Sequence, residues 1–374
     1  MRAPILSLFL LCTLSLSLCL TPQRSFSEAE NRSLQTWQAP TARTLVSGEF
    51  SRQLRDAFAD QFPLRALFCR LKAQGERWLG RTENNGILFG KDGYLIPKNE
   101  YGSLTVAQSN LAALGLFSEQ SALPVTVLIV PRSVDVMTSA LPAIYDPARA
   151  SEVISLIETL GEDAVFPLEE LRQAADAGEA VWYKTDHHWT TYGAYLAYVA
   201  LAPTLGYTPK ELSFFQVERV SDDFLGTSDS AIGGIAEEAD EILLFRYEGD
   251  TRYWRQADSG AWARGLYDAD ALAEKDQYRI FLGGNAGIMR IRDPDNTEKP
   301  RLLLVKDSFA NALLPFLALH FDVDLVDPRY GSGEPSDLLF SEEYDQILLV
   351  QGLDTLATDP ALSRFLYCEA DSPS

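Results

Sequence analysis

Histidine is scarce in this chain. Its 374 residues contain three, His187, His188 and His320, so any chemistry that needs an imidazole must draw on the adjacent pair or on His320. Basic residues are also few. Lys and Arg number 32 against 53 Asp and Glu, for a formal charge of −21; binding phosphate backbones needs a basic surface, so nucleic acid is excluded as the main partner. Of four cysteines, Cys12 and Cys19 fall in the N-terminal apolar run. The remaining two, Cys69 and Cys368, can pair in an oxidising compartment or stay buried as thiols, and nothing spaces them as metal ligands. There is no phosphate loop: Gly283-Gly284-Asn285-Ala286-Gly287 lacks the Lys-Ser/Thr that would follow. No cofactor motif is present, and no cofactor is expected. Internal repeats and low-complexity tracts are absent.

What is there can build a large core. At 46% hydrophobic and 11% aromatic, the chain is not a solvated acidic tail. The run Ile5 to Leu20 behind Met1-Arg2 has the form of a secretory leader. It is shorter than a relaxed span of about 20 residues, so residues 1–24 read equally as a cleaved signal peptide or an uncleaved signal anchor. Either reading exports the remainder, to the cell envelope or the outside. Residues 25–80 read as an extended stretch followed by helix, with Pro63 as the break. Residues 81–370 read as the main domain. Within it, Gly86 to Ile96 is a hairpin signal around Lys91-Asp92-Gly93. Four apolar runs, 125–130, 302–305, 323–326 and 347–350, suit strands buried on both faces of a parallel sheet. Helical segments near 104–118, 147–160, 191–205 and 309–320 alternate with them. That alternation predicts a three-layer α/β/α sandwich with a mostly parallel sheet, and residues 206–300 read as a loop-rich insertion with short strands.

Three segments carry candidate chemistry. In Tyr183-Lys184-Thr185-Asp186-His187-His188-Trp189, Asp186 and His188 stand two apart. On extended backbone they point the same way, so the carboxylate could hold one imidazole nitrogen and leave the other as a base. Trp189 would wall the site. Ser308 follows the apolar strand 302–305 and precedes a helix, a turn that exposes a nucleophile, and the amides of Ser308 and Phe309 could face an oxyanion. The plain alternative is that Ser308 or Asp307 caps the helix. Gly226, in Asp223-Phe224-Leu225-Gly226-Thr227-Ser228, is a third candidate, as an oxyanion donor. His320 reads as packing. Asp186-His187-His188 also suggests a manganese phosphoesterase, but the further ligands such a site needs are missing.

Together these segments resemble the bacterial DHHW family, which is similar to the SGNH-hydrolase-like domains of alginate O-acetylation proteins. The resemblance rests chiefly on Tyr183 to Thr191 and on Lys306-Asp307-Ser308-Phe309-Ala310-Asn311. Phe26-Ser27-Glu28 with Glu30-Asn31-Arg32, Asp60 to Arg65, and Asn85-Gly86 with Gly90 to Leu95 support it. It implies an SGNH-hydrolase-like fold, Ser308 as nucleophile, His188 as base and Asp186 as its partner, with Gly226 and Asn311 at the oxyanion site. It also implies acetyl transfer to a polysaccharide, with a membrane-bound O-acyltransferase as the acetyl source. An acetylesterase, or a non-catalytic glycan-binding protein on the same fold, are the other readings. This chain departs from the related alginate proteins in its Lys-Asp-Ser nucleophile turn and shows no obvious C-terminal carbohydrate-binding module.

Overall fold

Uninterrupted apolar strands are stable only where both faces of a sheet are covered, and the four apolar runs meet that condition. The structure, a computed structural model, describes residues 13, 16, 22–27, 29–98, 103–143, 145, 151–157, 160–161, 164–258, 260–330 and 344–370. Its central sheet has eight strands: β1 (Val125–Val130), β2 (Ala164–Val165), β3 (Trp254–Ala257), β4 (Ala263–Arg264), β5 (Ile288–Arg292), β6 (Arg301–Lys306), β7 (Asp322–Val326) and β8 (Gln346–Gly352). Their order is β4-β3-β5-β7-β6-β8-β1-β2. The five strands from β7 to β2 are mutually parallel, while β5, β3 and β4 extend the β7 edge antiparallel.

Side chains alternate across a strand, and β6 shows the result. Leu302 and Leu304 enter one apolar cluster, Leu303 and Val305 the other. Helices α2 (Thr191–Leu205) and α3 (Ala310–Leu317) contribute to the first, and α1 (Thr105–Gln120), α4 (Leu353–Thr358) and α5 (Ala361–Ala370) to the second. The chain is therefore an α/β/α sandwich with a mostly parallel sheet, as the alternation predicted. The loop-rich stretch from 206 to 300 supplies the antiparallel strands β3, β4 and β5. It also forms a separate ribbon of Gln216–Phe224 against Asp240–Arg246.

The hairpin signal corresponds to Ile87–Phe89 paired with Leu95–Pro97. The N-terminal helical stretch breaks into Glu49–Asp60 and Arg65–Trp78 around Pro63. The two N-terminal motif segments clasp each other. Arg32 makes two hydrogen bonds to the Asp60 carboxylate, and Arg65 makes two to Glu30.

The leader reading falls on residues outside the described ones, apart from Thr13, Leu16 and Pro22 to Arg24. Among the described residues no helix is long and apolar enough to cross a membrane. Whether Cys69 and Cys368 pair falls outside what the structure describes, because the Cys368 side chain is not described.

Candidate active site

The carboxyl ends of β6, β7 and β8 lie side by side at the centre of the sheet, where open α/β folds place their ligands. Three turns emerge there: Asp307-Ser308, Asp327 to Arg329, and Gly352. Asp307 is buried and acts as the clamp of the first turn. One carboxylate oxygen accepts from the Phe309 amide at 3.0 Å, the other from the Gly352 amide at 2.6 Å. Asp307 thus braces the turn ahead of the helix, whose N-cap is Phe309 with no side-chain cap, and Ser308 is left to point elsewhere.

Ser308 Oγ lies 2.8 Å from His188 Nε2, and His188 Nδ1 lies 2.6 Å from Asp186 Oδ1. A carboxylate can only accept, so Nδ1 carries the hydrogen, Nε2 is the free base, and the Ser308 hydroxyl donates to it. Asp186 and His188 do not sit on a pleated strand, contrary to the extended backbone assumed for them. The segment is a tight loop closed by a Trp182–Trp189 bridge. Asp186 Oδ1 also accepts the His188 backbone N–H at 2.9 Å, so a side-chain-to-backbone turn, not a pleat, sets the pairing. Asp240, on the ribbon, anchors the start of this loop by accepting from the Lys184 and Thr185 amides and the Thr185 hydroxyl.

The electrostatics follow from burial. Burial pushes the Asp186 carboxyl up, but His187, His188 and the Thr227 amide outweigh it and hold the group below the ordinary carboxylate range. Burial pushes His188 down to about 4, His187 adds to that, and Asp186 opposes it. At neutral pH the site therefore holds a carboxylate and a neutral imidazole. The imidazole lies flat on Tyr278, with ring centres 3.9 Å apart and planes 8° apart.

Two of the expected oxyanion donors are already engaged. The Gly226 amide donates to Thr185 Oγ1 at 3.0 Å. Gly226 is needed for a different reason: a Cβ there would stand 2.3 Å from the Asp186 Cβ. The residue after it does the binding, since the Thr227 amide and hydroxyl both donate to Asp186 Oδ2, at 2.7 and 2.8 Å. The Phe309 amide is likewise taken up by Asp307. Among the described residues no protein acceptor meets the Ser308 N–H. Asn311 is buried beside the turn. Its amide donates to Asn285 Oδ1 at 3.1 Å and its oxygen accepts from Lys306 Nζ at 2.8 Å, which leaves one amide hydrogen uncommitted. Trp189 does not wall the cleft. It is fully buried, and its indole N–H donates to the Phe309 carbonyl at 3.1 Å, which braces the nucleophile turn from behind.

Sequence reasoning missed several neighbours. Lys306 is buried and holds Asn285 and Asn311 together; burial moves its ammonium down to about 8. Arg329 makes two side-chain hydrogen bonds to Asp327 and acts electrostatically on both His188 and Asp307. Its position just beyond a parallel strand was the available signal. Tyr278 comes from the loop-rich stretch and carries no local signal. His320 packs, as expected: its Nε2 meets the Tyr198 hydroxyl at 2.8 Å and its ring stacks on Tyr207.

Asp186, His187 and His188 bring ligand-type atoms within 4.8 Å of one another. Those atoms already form a hydrogen-bond chain. The Thr227 hydroxyl spends its hydrogen on Asp186 and so accepts from His187 Nδ1, at 2.6 Å. This arrangement suits proton transfer between His188 and Ser308 rather than ion ligation.

Comparison with known proteins finds similarity at the level of family and fold. A family model described as DHHW protein matches residues 162–326, and one for the SGNH hydrolase-like domain of acetyltransferase AlgX matches residues 87–220. The probable alginate O-acetylase AlgJ of Pseudomonas putida is 27% identical over 185 residues, 45% of this chain and 46% of that protein. Its counterpart in Pseudomonas fluorescens is 24% identical over 178 residues, 43% of this chain and 44% of that protein. The chain thus spans less than half the length of these relatives. A DHHW family protein from Eubacterium siraeum has the same fold, with a TM-score of 0.62 at 23% identity over 75% of this chain and 95% of that one. PatB1 from Bacillus cereus, solved with a sulfonyl adduct, gives 0.61 at 20% identity over 75% and 98%. The resemblance read from the sequence therefore holds: this chain is similar to the DHHW proteins and to the SGNH-hydrolase-like domain of AlgX and AlgJ.

Proposed function

We propose that this chain is an exported, serine-dependent carbohydrate O-acetyltransferase that works through an acetyl-serine intermediate. The observation that carries the reading is the unbroken hydrogen-bond chain from Asp186 through His188 to Ser308. The names of the relatives, alginate O-acetylase and acetyltransferase, supply the group transferred.

In the first half-reaction Ser308 Oγ attacks the carbonyl carbon of an acetyl ester while His188 Nε2 takes the hydroxyl proton. The donor's C–O bond breaks, and the departing alkoxide takes that proton from His188. In the second, a sugar hydroxyl gives its proton to His188 and attacks acetyl-Ser308. The sugar acetate leaves, and the proton returns to Ser308. Asp186 keeps the imidazole in the tautomer that accepts at Nε2 and stabilises the imidazolium between steps. The Ser308 N–H, which meets no protein acceptor among the described residues, serves the developing oxyanion, a contribution of about 10²–10³ in rate for such a group.

The acceptor in this reading is a cell-surface or secreted polysaccharide. The donor comes from a membrane-bound O-acyltransferase that passes acetyl groups outward. The test is hydrolysis of an aryl acetate with and without oligosaccharide acceptors, with mass spectrometry of the protein. Acetylated Ser308 and acceptor-dependent sugar acetylation support transfer. Acetylation of Ser308 followed by hydrolysis indifferent to sugar makes the chain an acetylesterase, and no adduct on Ser308 ends both readings.

A further inference from the structure

The helices Glu49–Asp60 and Arg65–Trp78 show an apolar face that the other described residues leave uncovered. On the inner side, Ala73 is fully buried against a cluster that includes Ile87, Leu95, Ile232 and Ile235. On the outer side, Leu54, Phe58, Phe68 and Leu71 are each about half exposed, and Trp78 and Leu79 are 83% and 84% exposed. The face is continuous across the break between the helices, because the Phe62 ring sits 5.9 Å from Phe58 and 6.0 Å from Phe68. Contiguous apolar surface of this kind marks an interaction site.

Two observations identify the occupant. The first is charge. Residues 42–81 hold eight Lys and Arg against four Asp and Glu, a local balance of +4 in a chain that totals −21. Arg52, Arg70 and Lys72 are exposed beside the apolar side chains. Exposed aromatic and leucine side chains on a basic helix are the composition of an element that lies in a lipid interface, and anionic headgroups attract such a patch. The second is where the apolar leader run ends. Just beyond it, the Arg24 amide donates to Gln61 Oε1 at 3.0 Å and the Arg24 carbonyl accepts from Gln61 Nε2 at 2.9 Å. Gln61 stands in the break between the two helices. Chain leaving the leader is therefore fastened to the apolar hairpin.

We propose that this helical hairpin docks on an anionic lipid bilayer, with Trp78 and the Phe58–Phe68 face in the interface. The proposal is independent of the catalytic reading. The full chain in vesicles of phosphatidylethanolamine and phosphatidylglycerol tests it, with lipids brominated in the acyl chain as fluorescence quenchers. The expected result is a quenched tryptophan component that is missing in Trp78→Phe. It should also fall several-fold in Phe68→Asp with Leu71→Asp, and weaken when the vesicles carry only neutral lipid. Equal quenching of wild type and Trp78→Phe overturns the proposal. So does burial of Trp78 by self-association in the absence of vesicles, which would assign the face to a second copy of the chain.

Discussion

Gly226 lies so close to Asp186 that a methyl group on it would meet the Asp186 Cβ at 2.3 Å and one carboxylate oxygen at 2.4 Å. Its φ is −86°, so conformational freedom is not the reason for glycine here; space is. Gly226→Ala forces Asp186 out of line with His188. Overpacking of this kind costs about 1–3 kcal/mol. Both the melting temperature and turnover should fall, with the loss of turnover exceeding what the stability change explains. An alanine variant with wild-type turnover would show that the carboxylate need not stand where it does.

Ser308→Ala removes the nucleophile and nothing that clamps the turn, because Asp307 and Trp189 do that. Turnover of an acetyl ester should drop by about 10³-fold or more, with thermal unfolding close to wild type. Aryl acetate hydrolysis, read together with a melting curve, separates loss of chemistry from loss of fold.

Asp186→Asn keeps the shape and removes the charge. An amide at this position can present its N–H to Nδ1, which turns the imidazole into the wrong tautomer, and kcat should fall by about 10⁴-fold. The variant should still bind acceptor sugar, so the loss belongs in kcat rather than KM.

His188 titrates near 4 because it is buried and because His187 stands beside it. The neutral imidazole is the working base. Activity should therefore be full well above that value and fall as the pH drops through it, lower than an ordinary histidine would allow. Replacing His187 by Gln removes the neighbour whose electrostatic effect opposes the proton on His188. The acid limb of kcat/KM should then move up in pH; a limb that stays in place or moves down would show that His187 does not act on the base.

Lys306→Met takes the shared donor from Asn285 and Asn311 and a buried cation from beside Asp327. Asp327 keeps both hydrogen bonds from Arg329, so the main loss is the donor to the buried Asn311 oxygen, which costs about 1–3 kcal/mol. Chemical denaturation should show a lower midpoint with an unchanged slope.

Much of the sandwich was legible because its signal is local. Three unbroken apolar runs, with Val323–Val326 around a single buried Asp324 as the fourth, suit interior parallel strands, and all four pair as neighbours in the sheet. The Asp186–His188 pairing was legible for the same reason, although the cause lay in a turn rather than a strand. Gly226, the Phe309 amide and Trp189 were misread. From sequence a glycine, an amide and a tryptophan near a motif all look able to meet substrate, and only packing shows which are already engaged.

By itself the sequence determined the layers, the rare imidazoles and the strand-to-helix turn that carries the serine, since each depends on residues a few positions apart. The tertiary structure alone decided that Ser308 meets His188 across 120 positions of chain, that Thr227 binds the Asp186 carboxylate, that Tyr278 stacks on the base and that Arg329 acts on it electrostatically. Those contacts join separate loops at the carboxyl edge of one sheet. The order of strands in that sheet, which no short stretch of sequence encodes, is what brings the loops together.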